Sequence, residues 1–251
     1  MGSMIPSALI FDVDGTLAET EELHRQAFNA TFAAEQLPWH WDATLYRKLL
    51  DVTGGKERIA HFLKSEPDGA ERAADRIPEL HRAKTDRYTA LVAAGTALRP
   101  GVARLIREAK AAGVKLGIAT TTSLPNVEAL LESSLGPDAM ALFDAVGAGD
   151  VVPAKKPAPD IYLYVLDALK LPAADCVAFE DSTNGVRAAR AAGLPTIVTP
   201  GLYTEGDDFP GALAVLSDLG EPDAPYRHLA GVGAGESLVT LDALARWCRA
   251  A

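Results

Sequence analysis

Cysteines are scarce in this sequence of 251 residues, and the two that occur form no recognisable pair. Cys176 and Cys248 make neither a CxxC motif nor the spacing of a zinc site, which argues against a redox pair and a cysteine-bound metal. Cys176 opens an apolar run, so we expect it in the core. Such cysteine usage is typical of a reducing compartment, and we expect the protein in the cytoplasm.

Basic residues and long apolar runs are also in short supply. Lysine and arginine number 24 against 34 acidic residues, which gives a formal net charge of -10. Nucleic acids and anionic membranes attract basic surfaces, so neither is an expected partner. No apolar run approaches the roughly 18 residues of a membrane span, and no secretory signal is recognised. The expected partner is a small molecule, with no obligate protein partner evident.

Two kinds of pattern divide the chain. Residues 18–94 carry helical periodicity with almost no strand-like run, whereas strands and helices alternate after residue 95. The alternation is the pattern of a parallel α/β sheet. We therefore predict an α/β fold, with a doubly wound and mostly parallel sheet formed by residues 1–17 and 95–251 and an inserted α-helical cap domain at 18–94. Residues 220–237, rich in glycine, proline and alanine, are expected to form a surface excursion.

One stretch near the N-terminus carries the strongest chemical signal. The apolar run at residues 8–11 predicts a strand, which ends in Asp12 and Asp14 before a turn at Gly15. Alternation puts both acids on one side of the backbone, at the strand end where open α/β sheets bind ligands. An Asp-capped turn would explain Asp-x-Asp equally well. The longer string Asp-Val-Asp-Gly-Thr at 12–16 is more specific and favours an active site.

Three later strand ends carry further polar and charged side chains. Thr120 could donate a hydrogen bond to a phosphoryl oxygen, although its segment could equally cap a helix. Lys156, held before a proline, could neutralise a phosphate and the Asp12 carboxylate, unless it is a solvated loop lysine. Glu180 and Asp181 could be helix-capping residues or oxygen ligands for Mg²⁺.

These residues occur in the order that is found in the haloacid dehalogenase-like superfamily of phosphoryl-transfer enzymes, and the sequence resembles that superfamily over most of its length. Within it, the chain is similar to the β-phosphoglucomutase-like group and most similar to the CbbY-type sugar-bisphosphate phosphatases. The resemblance implies hydrolysis of xylulose-1,5-bisphosphate, an inhibitor of the carbon-fixing enzyme Rubisco, and a cap between the first two motifs. The stretches behind the closer match are residues 11–24, 53–58, 119–126, 155–157 and 180–182.

The same resemblance implies roles for the core residues. Asp12 would attack phosphorus and form an aspartyl-phosphate, and Asp14 would act as general acid and then as general base. Mg²⁺ would be the cofactor, with Asp14 offering its backbone carbonyl to the ion. The residues expected to carry the reaction are Asp12, Asp14, Thr120 and Lys156, and those expected to hold the metal are Asp12, Asp14, Glu180 and Asp181.

The cap is expected to select the substrate. The glycine pair Gly54-Gly55 lets backbone N–H groups approach a phosphate, and Lys56, Arg58 and Lys84 could bind a second, unreacted phosphate. Each of these charges could instead be an ordinary solvated side chain. The full set of expected substrate-binding residues is Glu19, His24, Arg47, Thr53, Gly54, Gly55, Lys56, Arg58, His81, Lys84, Thr121, Thr122 and Ser123.

Three functions remain open on the sequence alone. The first is a Mg²⁺-dependent sugar-phosphate phosphatase, and the second is a sugar phosphomutase of the β-phosphoglucomutase type. They differ in whether water or a sugar hydroxyl attacks the aspartyl-phosphate, and the cap residues 53–58 favour the phosphatase. The third is a binding module without catalysis, which the intact motifs disfavour. Asp14 argues against a dehalogenase, because enzymes of that activity lack the second aspartate.

Overall fold

The computed structural model describes residues 5–65 and 73–250. Seven strands form one sheet: β1 Ala8–Phe11, β2 Lys115–Ala119, β3 Ala145–Gly147, β4 Cys176–Glu180, β5 Thr196–Val198, β6 Ala214–Leu216 and β7 His228–Gly231. Their order across the sheet is β3-β2-β1-β4-β5-β6-β7. Every neighbouring pair is parallel except β6 with β7. A mostly parallel sheet was predicted, and the prediction is confirmed.

The strand β1 lies at the centre of this sheet because its side chains are apolar on both faces. Leu9 and Phe11 belong to the hydrophobic core on one face, whereas Ala8 and Ile10 belong to the core on the other. All four are fully buried. A strand that is covered on both faces has a continuous apolar sequence. The polar residues that follow β1 therefore lie beyond its C-terminal end, outside the apolar core.

Helices cover both faces of the sheet, as a doubly wound fold requires. The helices of this part are α5 Val102–Ala111, α6 Leu124–Leu135, α7 Asp160–Leu169, α8 Thr183–Ala191 and α9 Leu241–Ala250. The core on one face includes side chains from α5, α6 and α9, and the core on the other includes side chains from α7 and α8.

The segment between β1 and α5 is helical and has an aromatic core of its own. Phe28, Phe32, Trp41 and Tyr46 are buried together there, with the Phe32 and Trp41 rings packed edge to face at 4.9 Å between centroids. Edge-to-face pairs suit the ring quadrupoles and add to the hydrophobic gain. The α-helices that the structure describes in this segment are α1 Glu21–Ala34, α2 Ala43–Leu49, α3 Gly55–Leu63 and α4 Ile77–Ala93.

The division into a core domain at 1–17 and 95–251 and a cap domain at 18–94 stays a prediction. The aromatic cluster of the helical segment supports it, although this cluster also takes in Tyr203 from the other part of the chain. The apolar spacing also predicts a helix over residues 71–91; the start of that helix lies outside the described residues, and the described part of the segment is helical as expected.

One strand in the chain's later part was missed. Residues 220–237 were expected to form a surface excursion, and they are mostly exposed, but they also contain β7, the antiparallel edge strand. The strand was missed because it is four residues long and mostly exposed, so it carries no buried alternation. Among the described residues, no helix is long and apolar enough to cross a bilayer.

Candidate active site

Asp12 and Asp14 leave the sheet where β1 ends. The backbone N–H of Asp12 still bonds to the Phe179 carbonyl at 3.0 Å, which continues the pairing of β1 with β4 by one residue. Gly15 then turns the chain with φ +79°, a conformation that L side chains rarely adopt. A Cβ on Gly15 would lie 2.1 Å from Oδ2 of Asp181, so the turn packs directly against the acid that follows β4.

Lys156 reaches the same point from the loop before α7. Its Nζ lies 2.9 Å from Oδ1 of Asp12 and 2.6 Å from Oε1 of Glu180, and the side chain is buried. Tyr162 donates a hydrogen bond to the same Glu180 oxygen. Burial alone would lower the pKa of Lys156, but the charges of Asp12 and Glu180 outweigh it and raise the pKa above its usual value. The lysine is therefore a fixed positive charge beside Asp12.

Three carboxylates converge around Asp12. Oxygens of Asp12, Glu180 and Asp181 all lie within 4.8 Å of one another, and all three residues are buried. Burial, followed by the charges of Asp12 and Glu180, raises the pKa of Asp181 well above its usual value. Burial likewise raises the pKa of Glu180 to about 7, against the opposing charge of Lys156.

This acidic cluster fits a hard divalent cation. One lysine does not balance three carboxylates, and Oε2 of Glu180 is buried without a hydrogen-bond partner among the described residues. Oxygen ligands with excess negative charge are what Mg²⁺ prefers. The cluster of Asp12, Glu180 and Asp181 could therefore hold such an ion.

The carboxylate of Asp14 has a different environment. It accepts a hydrogen bond of 2.6 Å from the Thr20 hydroxyl and one of 3.3 Å from the Tyr88 hydroxyl, and His24 Nε2 lies 2.9 Å away. Burial raises the pKa of Asp14, but the contact with His24 and the bond from Thr20 outweigh it and hold the pKa below the usual range. Asp14 is thus an ionised carboxylate, and its neighbours Thr20, Tyr88 and His24 all contact the same oxygen, Oδ1.

His24 connects Asp14 to a buried lysine of α4. Its ring stacks on Tyr88 with centroids 3.8 Å apart, and its Nδ1 contacts Nζ of Lys84. Burial lowers the pKa of Lys84 to about 7, and burial together with the charge of Lys84 lowers the pKa of His81 to about 4. Desolvation disfavours the charged forms of Lys84 and His81. An anion bound beside them would favour those charged forms.

These groups surround a small polar cavity of about 50 Å³ between the helical segment and the sheet edge. Two buried side-chain atoms in its wall, Oγ of Ser123 and Oδ1 of Asn126, have no hydrogen-bond partner among the described residues. Unpaired buried polar atoms are costly, so the cavity suits a polar ligand. The predicted residues that line it are Asp14, His24, Gly54, Gly55, Arg58, His81, Lys84, Thr121, Thr122 and Ser123.

A larger cleft of about 470 Å³ opens beside Asp12 and leads outward between α2 and the loop after β5. It is also lined by Asn184 and Arg187 of α8, and it meets the small cavity at Asp14. The predicted residues that line the large cleft are Asp12, Asp14, Glu19, Arg47, Thr53, Arg58, Thr120, Thr121, Lys156 and Asp181. The structure therefore brings most of the predicted site residues around two adjoining spaces.

Two predicted residues lie outside both spaces. Lys56 contacts Asp150 across the gap between the helical segment and the sheet, and it does not line either space. Glu180 lies behind Lys156, fully buried, and is separated from the large cleft. Several lining residues also have protein partners: Arg47 pairs with Asp207 at 2.9 Å, and Thr53 donates to the Lys156 carbonyl.

Sequence reasoning missed four side chains that complete the site. Thr20 and Tyr88 hold Asp14, Tyr162 holds Glu180, and Asn126 lines the small cavity. Tyr88 could have been found, because it follows Lys84 by four residues and therefore shares its helix face. Thr20 and Asn126 lie within the stretches 11–24 and 119–126 that carry the closer family match, although the sequence does not show their contacts. Tyr162 carries no such signal.

Comparison with known proteins identifies the family of this chain. Residues 6–193 match the family model for haloacid dehalogenase-like hydrolases. The chain is 56% identical over 215 residues to the protein CbbY of Cereibacter sphaeroides, covering 85% of this chain and 93% of that protein. It is 51% identical over 245 residues to a plasmid-encoded CbbY of Cupriavidus necator, covering 96% of each.

Solved structures also resemble this chain in fold. A crystal structure of a CbbY variant from Rhodobacter sphaeroides, in complex with xylulose-1,5-bisphosphate, superposes with a TM-score of 0.81 at 54% identity over 85% of this chain and 95% of that one. A β-phosphoglucomutase from Clostridium difficile has a TM-score of 0.70 at 20% identity, over 84% and 90% of the two chains, and shares the fold. The chain is an enzyme that belongs to the haloacid dehalogenase-like hydrolase family.

Proposed function

We propose that this enzyme is a Mg²⁺-dependent phosphatase that acts on a sugar bisphosphate through an aspartyl-phosphate. Its proposed substrate is xylulose-1,5-bisphosphate, which it hydrolyses to xylulose-5-phosphate and phosphate. The observation that carries the proposal is the position of the buried Asp12 beside Lys156 and Asp181 in the wall of the cleft. The similarity to a CbbY structure with bound xylulose-1,5-bisphosphate supports the choice of sugar.

In the first step, an Asp12 carboxylate oxygen attacks phosphorus, and the bond from phosphorus to the sugar oxygen breaks. Asp14 gives the departing oxygen a proton. Since Asp14 is ionised in the free protein, this proton has to be acquired as the anionic substrate arrives and raises the pKa of the carboxyl group. Covalent catalysis of this kind divides one difficult displacement into two easier ones.

In the second step, water attacks the phosphorus of the aspartyl-phosphate, and Asp14 takes its proton. The bond from phosphorus to the Asp12 oxygen breaks, which releases phosphate and restores the carboxylate. The contacts of Asp14 with Thr20 and His24 suit the base, because they stabilise its ionised form before the proton arrives.

Negative charge on the phosphoryl oxygens is met by groups already in place. Lys156 is held by Asp12 and Glu180, so it needs little rearrangement to contact a phosphoryl oxygen, and Thr120 donates a hydrogen bond. Glu180 acts mainly by fixing this lysine. Asp12, Glu180, Asp181 and the Asp14 carbonyl would hold Mg²⁺, which would supply further positive charge when bound.

The second phosphate of the substrate binds in the small polar cavity. Arg58 and Lys84 provide positive charge there, and the unpaired hydroxyl oxygen of Ser123 lies in its wall. Ser123 can donate its hydroxyl proton to a phosphate oxygen, and the Gly54-Gly55 backbone leaves room for a close approach. Glu19, Arg47 and Thr53 line the outer cleft, where they contact the sugar.

The decisive experiment compares products as well as rates. The protein is incubated with Mg²⁺ and, separately, xylulose-1,5-bisphosphate, ribulose-1,5-bisphosphate and β-glucose-1-phosphate, and both free phosphate and sugar products are measured. We expect rapid phosphate release from the xylulose ester and little from its ribulose epimer. Conversion of β-glucose-1-phosphate to its 6-phosphate without phosphate release would overturn the proposal in favour of a phosphomutase.

A further inference from the structure

We propose that Arg99 is a positioning residue for this reaction, since its side chain joins the loop that carries Asp14 to the rim of the cleft. The inference rests on the proposed phosphatase function and concerns a residue outside the motifs. Arg99 stands at the return from the helical segment to the sheet, just before α5. It lines neither the large cleft nor the small cavity, so it acts through other residues.

The guanidinium of Arg99 has four acceptors, two in the loop after β1 and one each in the loops after β5 and β6. Nη1 donates to the Gly15 carbonyl and to Oε1 of Glu19, the latter at 2.7 Å. Nη2 donates to the carbonyls of Pro200 at 2.9 Å and Ser217 at 2.8 Å. The side chain is only 9% exposed. A planar fork with several donors can satisfy such a set, whereas a lysine ammonium is a point charge with different geometry.

The first acceptor places Arg99 next to the chemistry. Gly15 follows Asp14 directly and leaves no space for a Cβ beside Asp181. A shift of the Gly15 carbonyl would therefore move the backbone of Asp14 and change the contact of the turn with Asp181. The backbone N–H of Arg99 also bonds to the Leu17 carbonyl at 2.8 Å, which holds the far end of the same loop.

The other acceptors extend this connection to the cleft wall. Glu19 lines the cleft and also accepts from the Leu202 backbone N–H at 3.2 Å. Glu19 lies in the first connection between sheet and helical segment, and Arg99 lies in the second. Their ion pair thus ties the two connections to each other and to the loop after β5. Arg99 therefore sets the position of the loop that carries Asp14 relative to Glu19, whose carboxylate lines the cleft.

The protein offers a matched control for a purely structural role. Arg104 donates to the carbonyls of Val239 at 2.9 Å, Leu219 at 3.0 Å and Gly220 at 3.0 Å. It is partly buried, it binds three carbonyls as Arg99 does, and none of its partners lines either cleft space. Replacing each arginine by lysine should therefore disturb folding to a similar degree, but the reaction only at Arg99.

The experiment compares Arg99→Lys and Arg104→Lys by thermal unfolding and by steady-state hydrolysis of xylulose-1,5-bisphosphate. Small displacements of catalytic groups are costly, so we expect Arg99→Lys to lower kcat about tenfold to a hundredfold, with a smaller change in KM. We expect Arg104→Lys to keep kcat within about twofold at a similar melting temperature. Equal kcat losses in the two variants, or a normal kcat in Arg99→Lys, would overturn the inference.

Two further readouts separate the inference from the proposed function. Hydrogen exchange should speed up in residues 14–19 of Arg99→Lys and stay unchanged there in Arg104→Lys, whatever the substrate; unchanged exchange in Arg99→Lys contradicts the inference. Absence of turnover in the wild-type protein contradicts the proposed function instead.

In a double-mutant cycle, Glu19→Gln and Arg99→Lys should be strongly non-additive in kcat, and additive effects would show that Arg99 does not act through Glu19.

Discussion

Asp14 shows how much of the chemistry depends on the surroundings of a single residue. Its carboxylate is held by Thr20, His24 and Tyr88, which favour the ionised form. A group prepared in this way is ready to take a proton from water, and it acquires the proton that it donates only when substrate is bound. The neighbours of Asp14 therefore link proton uptake to substrate binding.

The variant Asp14→Asn tests this role. An asparagine keeps the shape of the side chain but neither donates nor takes up a proton in the reaction. We expect kcat to fall by about 10²- to 10⁴-fold, the usual contribution of a general acid–base, while KM changes little. Steady-state kinetics with xylulose-1,5-bisphosphate measure both. A comparable rise in KM with nearly normal kcat would mean that Asp14 binds substrate without moving protons.

Lys84 predicts a dependence on pH. Burial lowers its pKa to about 7, so the free enzyme carries the positive charge below pH 7 and loses it as the pH rises through 7. If the charged form binds the second phosphate, kcat/KM for a bisphosphate should fall about tenfold per pH unit above pH 7. The kcat/KM for a sugar monophosphate, which has no second phosphate, should fall less above pH 7.

The matched variant for this pH profile is Lys84→Arg, because a guanidinium stays charged throughout the range. Its kcat/KM for the bisphosphate should show no decline above pH 7, even if the value at pH 6 is lower. Lys170→Arg changes a lysine that is 75% exposed and should reproduce the wild-type profile. A decline that persists in Lys84→Arg would assign the titration to another group.

At the scale of elements, the packing of α8 on β4 positions Lys156. A Cβ on Gly185 would lie 1.8 Å from Oε2 of Glu180, so Gly185→Ala should displace the carboxylate that holds Lys156. We expect kcat to fall about tenfold to a hundredfold, with an overpacking cost of about 1–3 kcal/mol in the free energy of unfolding. Kinetics and chemical denaturation measure the two effects.

Gly113→Ala is the comparison variant. Gly113 has φ +72° with no atom within 4 Å of a Cβ, so alanine there strains the backbone of the turn after α5 without touching the site. Its stability should fall while kcat stays normal. If Gly185→Ala also kept a normal kcat, the position of Glu180 would not matter for the reaction.

Elements with a strong local pattern could be predicted from the sequence, and weakly patterned ones could not. The apolar run of β1 made its burial and the position of Asp12 at its end predictable. The strand β7 is short and exposed, so its pairing with β6 is decided by tertiary contacts. The pairing of Lys56 with Asp150 is likewise a contact between distant segments, which a single sequence does not contain.

At the scale of the whole molecule, this acidic protein places a few basic side chains where an anionic substrate would bind. The net charge is -10, yet Lys156, Arg58 and Lys84 are buried around the two cleft spaces. The same region holds the buried acids Asp12, Glu180 and Asp181. The folded state thus retains unbalanced buried charge, which ligand binding relieves.

This arrangement predicts that Mg²⁺ stabilises the folded protein. An ion at about 100 times its dissociation constant contributes about 2.7 kcal/mol, or roughly a 5–10 °C rise in melting temperature for a chain of this size. Thermal unfolding with and without Mg²⁺ measures the shift. Asp181→Asn should abolish it, whereas Asp223→Asn, an exposed acid remote from the cluster, should preserve it. A shift retained in Asp181→Asn would place the ion elsewhere.

The most direct test of the central claim is phosphate release from xylulose-1,5-bisphosphate by the wild-type protein and by Asp12→Asn, each with Mg²⁺ and with a chelator. We predict rapid release by the wild type with Mg²⁺, loss of release with the chelator, and no measurable turnover by Asp12→Asn under either condition. Asp223→Asn should behave as the wild type does. Turnover by Asp12→Asn at a rate near that of the wild type would contradict an aspartyl-phosphate mechanism.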